Sequence, residues 1–315
     1  MTTTEISTDL IAWCASHIEC RERALYLTLM VKSWFRQVAP CKLVVSLSYE
    51  PDQEAQTTLT VKELQDKFEH LEIRVRETKL AQFEHYKLLT DEHTNQDPQW
   101  VLMSDDDDIW SPNRTAMYLN TILSINEEIS FISAGNYTEN SANGTVKQPL
   151  SPEQVNDLIA KKQVKVTNTP TGTSNRYVMF ATQAERVRKW THAVHDTILK
   201  HPFADLYWLR YLTESSEKFG IIEDPVSWPY FFRNWSKDKQ HYARRMDMTI
   251  TDPKEWAKQV VALYYCQHSK YTKQQFKQFC RGHNTNIKAI KAMQQELDKM
   301  VQDGDLRQFE ALRTI

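Results

Sequence analysis

Residues Trp100 to Arg114 read W-V-L-M-S-D-D-D-D-I-W-S-P-N-R. Four adjacent carboxylates, Asp105 to Asp108, repel one another unless solvent or a cation compensates them. A solvated acidic turn would use the solvent. The flanks argue for the cation, because an apolar run leads straight into the aspartates and Ile109 and Trp110 close them off. Carboxylates held between apolar segments are costly to desolvate, and a bound cation offsets that cost. Oxygen ligands suit a hard divalent ion, Mg²⁺ or Mn²⁺, which commonly shares them with substrate phosphates. Asp105, Asp107 and Asp108 are therefore candidate metal ligands. The run contains two overlapping D-x-D frames, so Asp106 with Asp108 stands as an alternative to Asp105 with Asp107.

Such a device matters because the usual phosphate cradles are missing. The chain of 315 residues has only 6 glycines, about 2% against a usual 7% or so. They are too scattered for a G-x-G-x-x-G dinucleotide fingerprint or a Walker-type loop, and both are excluded. A diphosphate held here would be held by a metal.

The elements that must position the aspartates alternate in type. Leu10–Ser16 and Lys42–Ser48 read as buried strands, Glu72–Val75 as a weaker one, and Trp100–Ser104 and Ile129–Ala134 as two more. Between them, Arg21–Gln37, Val61–Leu71 (with Thr60 as N-cap), Leu80–Glu92 and Asn113–Leu123 read as helices, the last starting at Pro112. That alternation predicts an α/β fold: a mostly parallel central sheet flanked by helices, Rossmann-like. Ligands in such sheets sit at the carboxyl ends of the strands, where the aspartates stand. Further on, Ser151–Gln163, Ala184–Leu199 and Phe203–Phe219 read as helices, and Arg176–Ala181 and Ile221–Phe232 as extended. From about Thr251, lysine and glutamine rise and apolar residues recur at helical spacing. The expected organisation is a domain over residues 1–248 and a C-terminal helical extension over 249–315.

A strand followed by D-x-D and an apolar or aromatic pair resembles the motif of nucleotide-sugar glycosyltransferases of the GT-A fold. S-D-D-D-D-I-W resembles the form found in the large family-two-like group and in viral and bacterial sugar transferases. The resemblance spans roughly residues 10–235. It implies a metal-dependent hexosyl- or pentosyltransferase that moves a sugar from a nucleoside diphosphate sugar to a hydroxyl of a glycan, protein or small molecule, with Mn²⁺ or Mg²⁺ as cofactor. By the same resemblance Asp105 contacts the ribose or sugar with Asp106 beside it, while Asp107 holds the metal. Ala15, Ser16 and His17 at the end of the first strand, and Ser46 at the end of the second, line the nucleotide pocket. Arg76, Lys79 and Gln82 occupy the region that supplies a basic residue to the donor site. His241 lies where some members add a metal ligand.

H-P-F-A-D-L-Y-W-L-R-Y-L, His201 to Leu212, is similar to the E-D-x-x-L-x-x-R-L segment that supplies the catalytic base in inverting members. Asp205 takes the aspartate's place. The departure is Ala204, where many members carry Glu, and an aspartate at a helix start is also an ordinary N-cap. Thr171–Arg176 resembles the stretch between donor and acceptor sites. The aromatic run Trp228–Trp235 suits either core packing or stacking on a sugar ring.

The remaining features bound the alternatives. Net charge is −2 from 39 basic and 41 acidic residues, so no nucleic-acid partner is expected. The 5 cysteines form no C-x-x-C, which predicts reduced thiols in a cytoplasmic setting. No signal peptide, membrane span or membrane association is expected. Two other readings stay open: a nucleotidyltransferase of similar fold, and a non-enzymatic interaction protein with a solvated acidic loop. The first usually carries a glycine-rich loop after its first strand, and this chain has none.

Overall fold

The structure, a computed structural model, describes residues 7–110, 112, 114–125, 128–134, 164–167, 180–200, 204–216, 218–222, 230–231 and 295. Chain order runs β1 (Ser7–Ile18), α1 (Arg21–Trp34), β2 (Cys41–Tyr49), α2 (Glu54–Lys67), β3 (Leu71–Val75), α3 (Gln82–Asp91), β4 (Trp100–Asp105), β5 (Asp108–Ile109) and α4 (Arg114–Ser124). It continues through β6 (Phe131–Ala134), β7 (Val164–Thr167), β8 (Phe180–Gln183), α5 (Ala184–Ala193), α6 (Asp196–Leu199), α7 (Ala204–Glu214), β9 (Phe219–Ile222) and β10 (Tyr230–Phe231).

Eight of the described strands form one sheet in the order β3-β2-β1-β4-β8-β6-β9-β7. Its first four strands are parallel to one another, and β6 is parallel to β9, while β8 runs antiparallel to β4 and β6, and β7 antiparallel to β9. The α/β, mostly parallel, helix-flanked architecture expected from the sequence is the observed one. β2 is buried at seven of its nine positions, from Cys41 and Leu43 through Ser48, as a strand covered on both faces must be. The core gathers around β1 and β2, with Trp13, Trp34, Trp110, Tyr86 and Phe83 among its largest fully buried side chains.

The topology fixes where a ligand can sit. From β1 the chain runs outward through β2 and β3, then returns to lay β4 on the other side of β1. A crevice opens at such a reversal, outside the carboxyl ends of the two central strands. There Ala15 of β1 lies opposite Asp105 of β4 and, on its other side, opposite Ser46 of β2.

Several element boundaries differ from the sequence reading. α2 begins at Glu54, after a short 3₁₀ turn at Pro51–Gln53, so Thr60 is mid-helix and no N-cap; its hydroxyl donates back to the Gln56 carbonyl at 2.9 Å. The expected helix Ala184–Leu199 is two helices, because Val194 is extended (φ −79°, ψ 150°). α7 stops at Glu214, and Phe219 opens a strand. Within Ile221–Phe232, the described pieces are the end of β9 and the two residues of β10. The expected helix Ser151–Gln163, the segment Thr171–Arg176, His241 and, apart from Gln295, the extension from residue 249 lie outside the described residues.

Candidate active site

β4 delivers the aspartates. Its last residues are fixed from several directions: Tyr86 Oη donates to the Ser104 carbonyl (3.0 Å), Trp110 Nε1 donates to Ser104 Oγ (2.7 Å), and Ser104 Oγ donates to the Asp105 carbonyl (3.0 Å). The exit is pinned too. The Trp110 backbone N–H donates to Ser33 Oγ of α1 (2.9 Å), and the Arg114 guanidinium lies over the Trp110 ring at 4.1 Å while donating to the Met103 carbonyl (2.7 Å). Trp110 therefore fixes the exit of the turn between a strand end and two helices.

Held this way, the four carboxylates divide their work. Asp106 points inward: it accepts from Ser16 Oγ (2.7 Å) and from Arg23 (2.6 Å), and is 3% exposed. Asp105, Asp107 and Asp108 converge, each offering an oxygen within 4.8 Å of the others. Opposite ligands about 2.1 Å from a divalent ion stand about 4.2 Å apart, so this triad fits Mg²⁺ or Mn²⁺ after small side-chain rotations. All three are hard oxygen donors, as those ions prefer. Gln82 Nε2 orients Asp105 by donating to its Oδ1 at 2.7 Å. Asp108 is fully buried, and its charge acts on the equally buried Arg114. Burial pushes the Arg114 guanidinium down, while Tyr118 and Asp108 work the other way.

Arg23, in the first turn of α1, is the residue that sequence reasoning missed. It donates through one terminal nitrogen to Asp106 and through the other to Asp107 (3.1 Å). Burial works against its charge, but Asp106, Asp107 and Glu19 together outweigh burial and hold it above the ordinary arginine range. Breaking a buried ion pair from one side leaves the other charge uncompensated, at a cost of about 3–5 kcal/mol. Arg23→Met is accordingly expected to lose about that much stability in urea unfolding. A loss under about 1 kcal/mol would mean that solvent already screens these aspartates.

The strand ends beside β4 carry the rest. His17 Nδ1 bonds Ser48 Oγ (2.9 Å) and its Nε2 bonds Glu50 Oε1 (3.2 Å). Burial lowers the His17 pKa, opposed by its bond to Glu50. Lys79 donates to the same Glu50 oxygen and, with His17, keeps that carboxylate below its usual range. Arg76 donates through Nε to Ser46 Oγ (2.7 Å) and grips Glu92 through its other nitrogens (2.5 and 2.9 Å). Ala15, Ser16, His17, Ser46, Arg76, Lys79 and Gln82 thus surround the same edge as the aspartates. A second residue the sequence did not flag is His85 of α3, 1% exposed, which bonds both Ser46 Oγ (2.9 Å) and Ser48 Oγ (3.1 Å).

Burial, with smaller contributions from Arg76 and His17, lowers the His85 pKa from 6.5 to about 3. Below pH 6.5 an unfolded chain takes up a proton that the native state refuses. Stability therefore falls as pH drops from 6.5 toward 3, by up to about 1.4 kcal/mol per pH unit. Melting curves between pH 7 and 5 should show a steeper decline for the native chain than for His85→Gln, and equal slopes would contradict the burial of a neutral His85.

Asp205 is the second residue of α7, half-buried in its first turn, and is not among the converging carboxylates. Of the aromatic run Trp228–Trp235, the described residues are Tyr230 and Phe231: β10 pairs antiparallel with β5, placing Phe231 opposite Asp108 and Tyr230 opposite Ile109 along the backbone. No helix among the described residues is long and apolar enough to cross a membrane.

The architecture has solved counterparts. The crystal structure of S. aureus TarS 1-349 matches over 86% of this chain and 69% of its own, with a TM-score of 0.53 and 12% identity. The same TarS fragment in complex with UDP matches over the same shares, with a TM-score of 0.52 and 12% identity. A mannosyltransferase from Pyrobaculum calidifontis, in complex with GDP-Man and Mn²⁺, superposes more loosely (TM-score 0.47, 14% identity, 99% of this chain and 82% of that one). No protein-family model matches the chain, and the search of curated proteins finds no match.

Proposed function

We infer from the aspartate motif and from the likeness to the TarS fragment that the fold is the GT-A type. We propose that the chain is a metal-dependent glycosyltransferase that moves a sugar from a nucleoside diphosphate sugar to a hydroxyl acceptor with inversion. One observation carries this reading: Asp105, Asp107 and Asp108 converge at the crevice where the sheet reverses direction, beside the carboxyl ends of β1 and β2. The TarS fragment of the same fold binds UDP, which supports a nucleoside diphosphate donor.

Asp105, Asp107 and Asp108 would hold Mn²⁺ or Mg²⁺, with His241 as a further ligand. Such an ion, when bound, would supply positive charge against the charge that builds on the departing diphosphate. Arg23 and Ser16 hold Asp106, so the turn keeps its shape before donor arrives. Ala15, Ser16, His17 and Ser46 line the nucleotide side, with Arg76, Lys79 and Gln82 at its rim. Asp205 accepts the acceptor hydroxyl's proton as that oxygen attacks the anomeric carbon. Aromatic residues of Trp228–Trp235 would stack on the acceptor sugar, a reading supported by the pairing of β10 with β5 next to the aspartates. The helical spacing of apolar residues from about Thr251 supports a helical extension over 249–315.

A screen of UDP- and GDP-linked sugars, scoring nucleotide release with Mn²⁺ and with EDTA, tests the reading. Release from at least one donor, abolished by EDTA, is expected. No release and no binding of any sugar nucleotide would instead favour an interaction protein.

A further inference from the structure

A line of side chains, buried in the middle and half-buried at the ends, runs beneath the proposed nucleotide pocket: Arg76, Ser46, His85, Ser48, His17, Glu50. Each neighbouring pair is within hydrogen-bond distance, from 2.7 to 3.2 Å. The two ends fix its polarity. An arginine can only donate, and an ionised carboxylate can only accept. Ser46, His85, Ser48 and His17, both imidazoles neutral, bring one hydrogen each, and there are four links between Ser46 and Glu50 to fill. Glu50 has no hydrogen to give, so His17 donates from Nε2. Ser48 must then donate to His17 Nδ1, His85 must donate from Nε2 to Ser48, and Ser46 must donate to His85 Nδ1. Only this arrangement satisfies every link, and it fixes both histidines as their Nε2–H tautomers.

We infer that His85 is a positioning residue for donor binding: as the middle link of a one-way hydrogen-bond chain, it fixes the ring of His17 and the charged ends Arg76 and Glu50 at the pocket edge. This inference rests on the donor-site reading above. His85 itself is buried behind the strands. It lies one helical turn after Gln82, which donates to Asp105 and takes no part in this line. Such a chain acts on binding alone. Its loss should loosen the nucleotide without altering the reacting groups, a change in KM at nearly constant kcat.

Two measurements decide it. Long-range ¹⁵N spectra of the native protein without ligand should show His17 and His85 as Nε2–H tautomers near neutral pH. An Nδ1–H form at either ring overturns the chain, whatever the variants do. Calorimetry with UDP and Mn²⁺, with GDP as the second probe, should show His85→Phe weakening binding about 10-fold, with kcat at saturating donor changed less than about two-fold. His85→Gln, which keeps one donor and one acceptor, should recover most of the affinity. Unchanged affinity in His85→Phe, or an equal loss in both variants, makes His85 a packing residue and overturns the proposal. If His85→Phe does not fold, the tautomers and His85→Gln still decide. A native protein that binds neither nucleotide defeats the donor reading and this role with it, while the spectra still judge the chain.

Discussion

Asp107→Ala is expected to abolish sugar transfer and donor hydrolysis together, lowering kcat by about 10³-fold or more. Asp107 is one of the converging triad, and removing it leaves two carboxylates where three would grip the ion. The charge that builds on a departing diphosphate would then go largely uncompensated, a term worth several kcal/mol of barrier. The fold should survive, because Arg23 keeps its 2.6 Å bond to Asp106 and the exit of the turn stays pinned by Trp110. Asp106→Ala is the informative contrast. Asp106 is tied to Arg23 and Ser16, so its loss should damage stability more than metal affinity. Measuring kcat, Mn²⁺ affinity and urea stability of both variants separates the roles. An Asp107→Ala enzyme that turns over at native rate without metal would count against the site.

The second large effect is expected from Asp205→Asn. The amide keeps the size and hydrogen-bonding reach of the side chain but cannot take a proton from an acceptor hydroxyl. General-base catalysis is typically worth about 10²–10⁴-fold, so transfer should drop by that factor while UDP affinity moves less than about two-fold. Hydrolysis of the donor by water should fall less, since water needs no oriented sugar hydroxyl. Asp205 sits in the first turn of α7, where a carboxylate also favours the helix start, and the amide is a good helix-start residue as well. Stability should therefore be nearly unchanged. Transfer at the native rate in Asp205→Asn would leave Asp205 a helix-start residue only.

The aspartates were legible because their setting is written locally. A run of apolar residues can only be a buried strand end or a buried helix, and four carboxylates following it at once mark where the strand leaves the core. The split of work among them was not legible. It depends on Arg23, which is 83 and 84 residues away in sequence from its partners and reads as a solvated charge in the first turn of a helix. His85 was hidden in the same way, since a histidine among Glu84, Tyr86 and Lys87 gives no sign that its face meets two strand serines. α2 was begun too late for a different reason. Its buried stripe is Thr57, Thr60 and Leu64, and threonines do not register as a hydrophobic period. Phe219, read as the last apolar residue of a helix, is the first of a strand, because a lone aromatic after a polar stretch fits either element.

Titration of the protein with Mn²⁺ in the presence of UDP, followed by electron paramagnetic resonance of the free ion, bears most directly on the carboxylate grip. One Mn²⁺ should be taken up per chain in the native protein. That uptake should be lost on replacing Asp105 or Asp107 with alanine, and retained on replacing the exposed Asp66. Uptake that persists through the Asp105 and Asp107 variants, or no uptake at all by the native chain, would contradict a metal held at the mouth of this sheet.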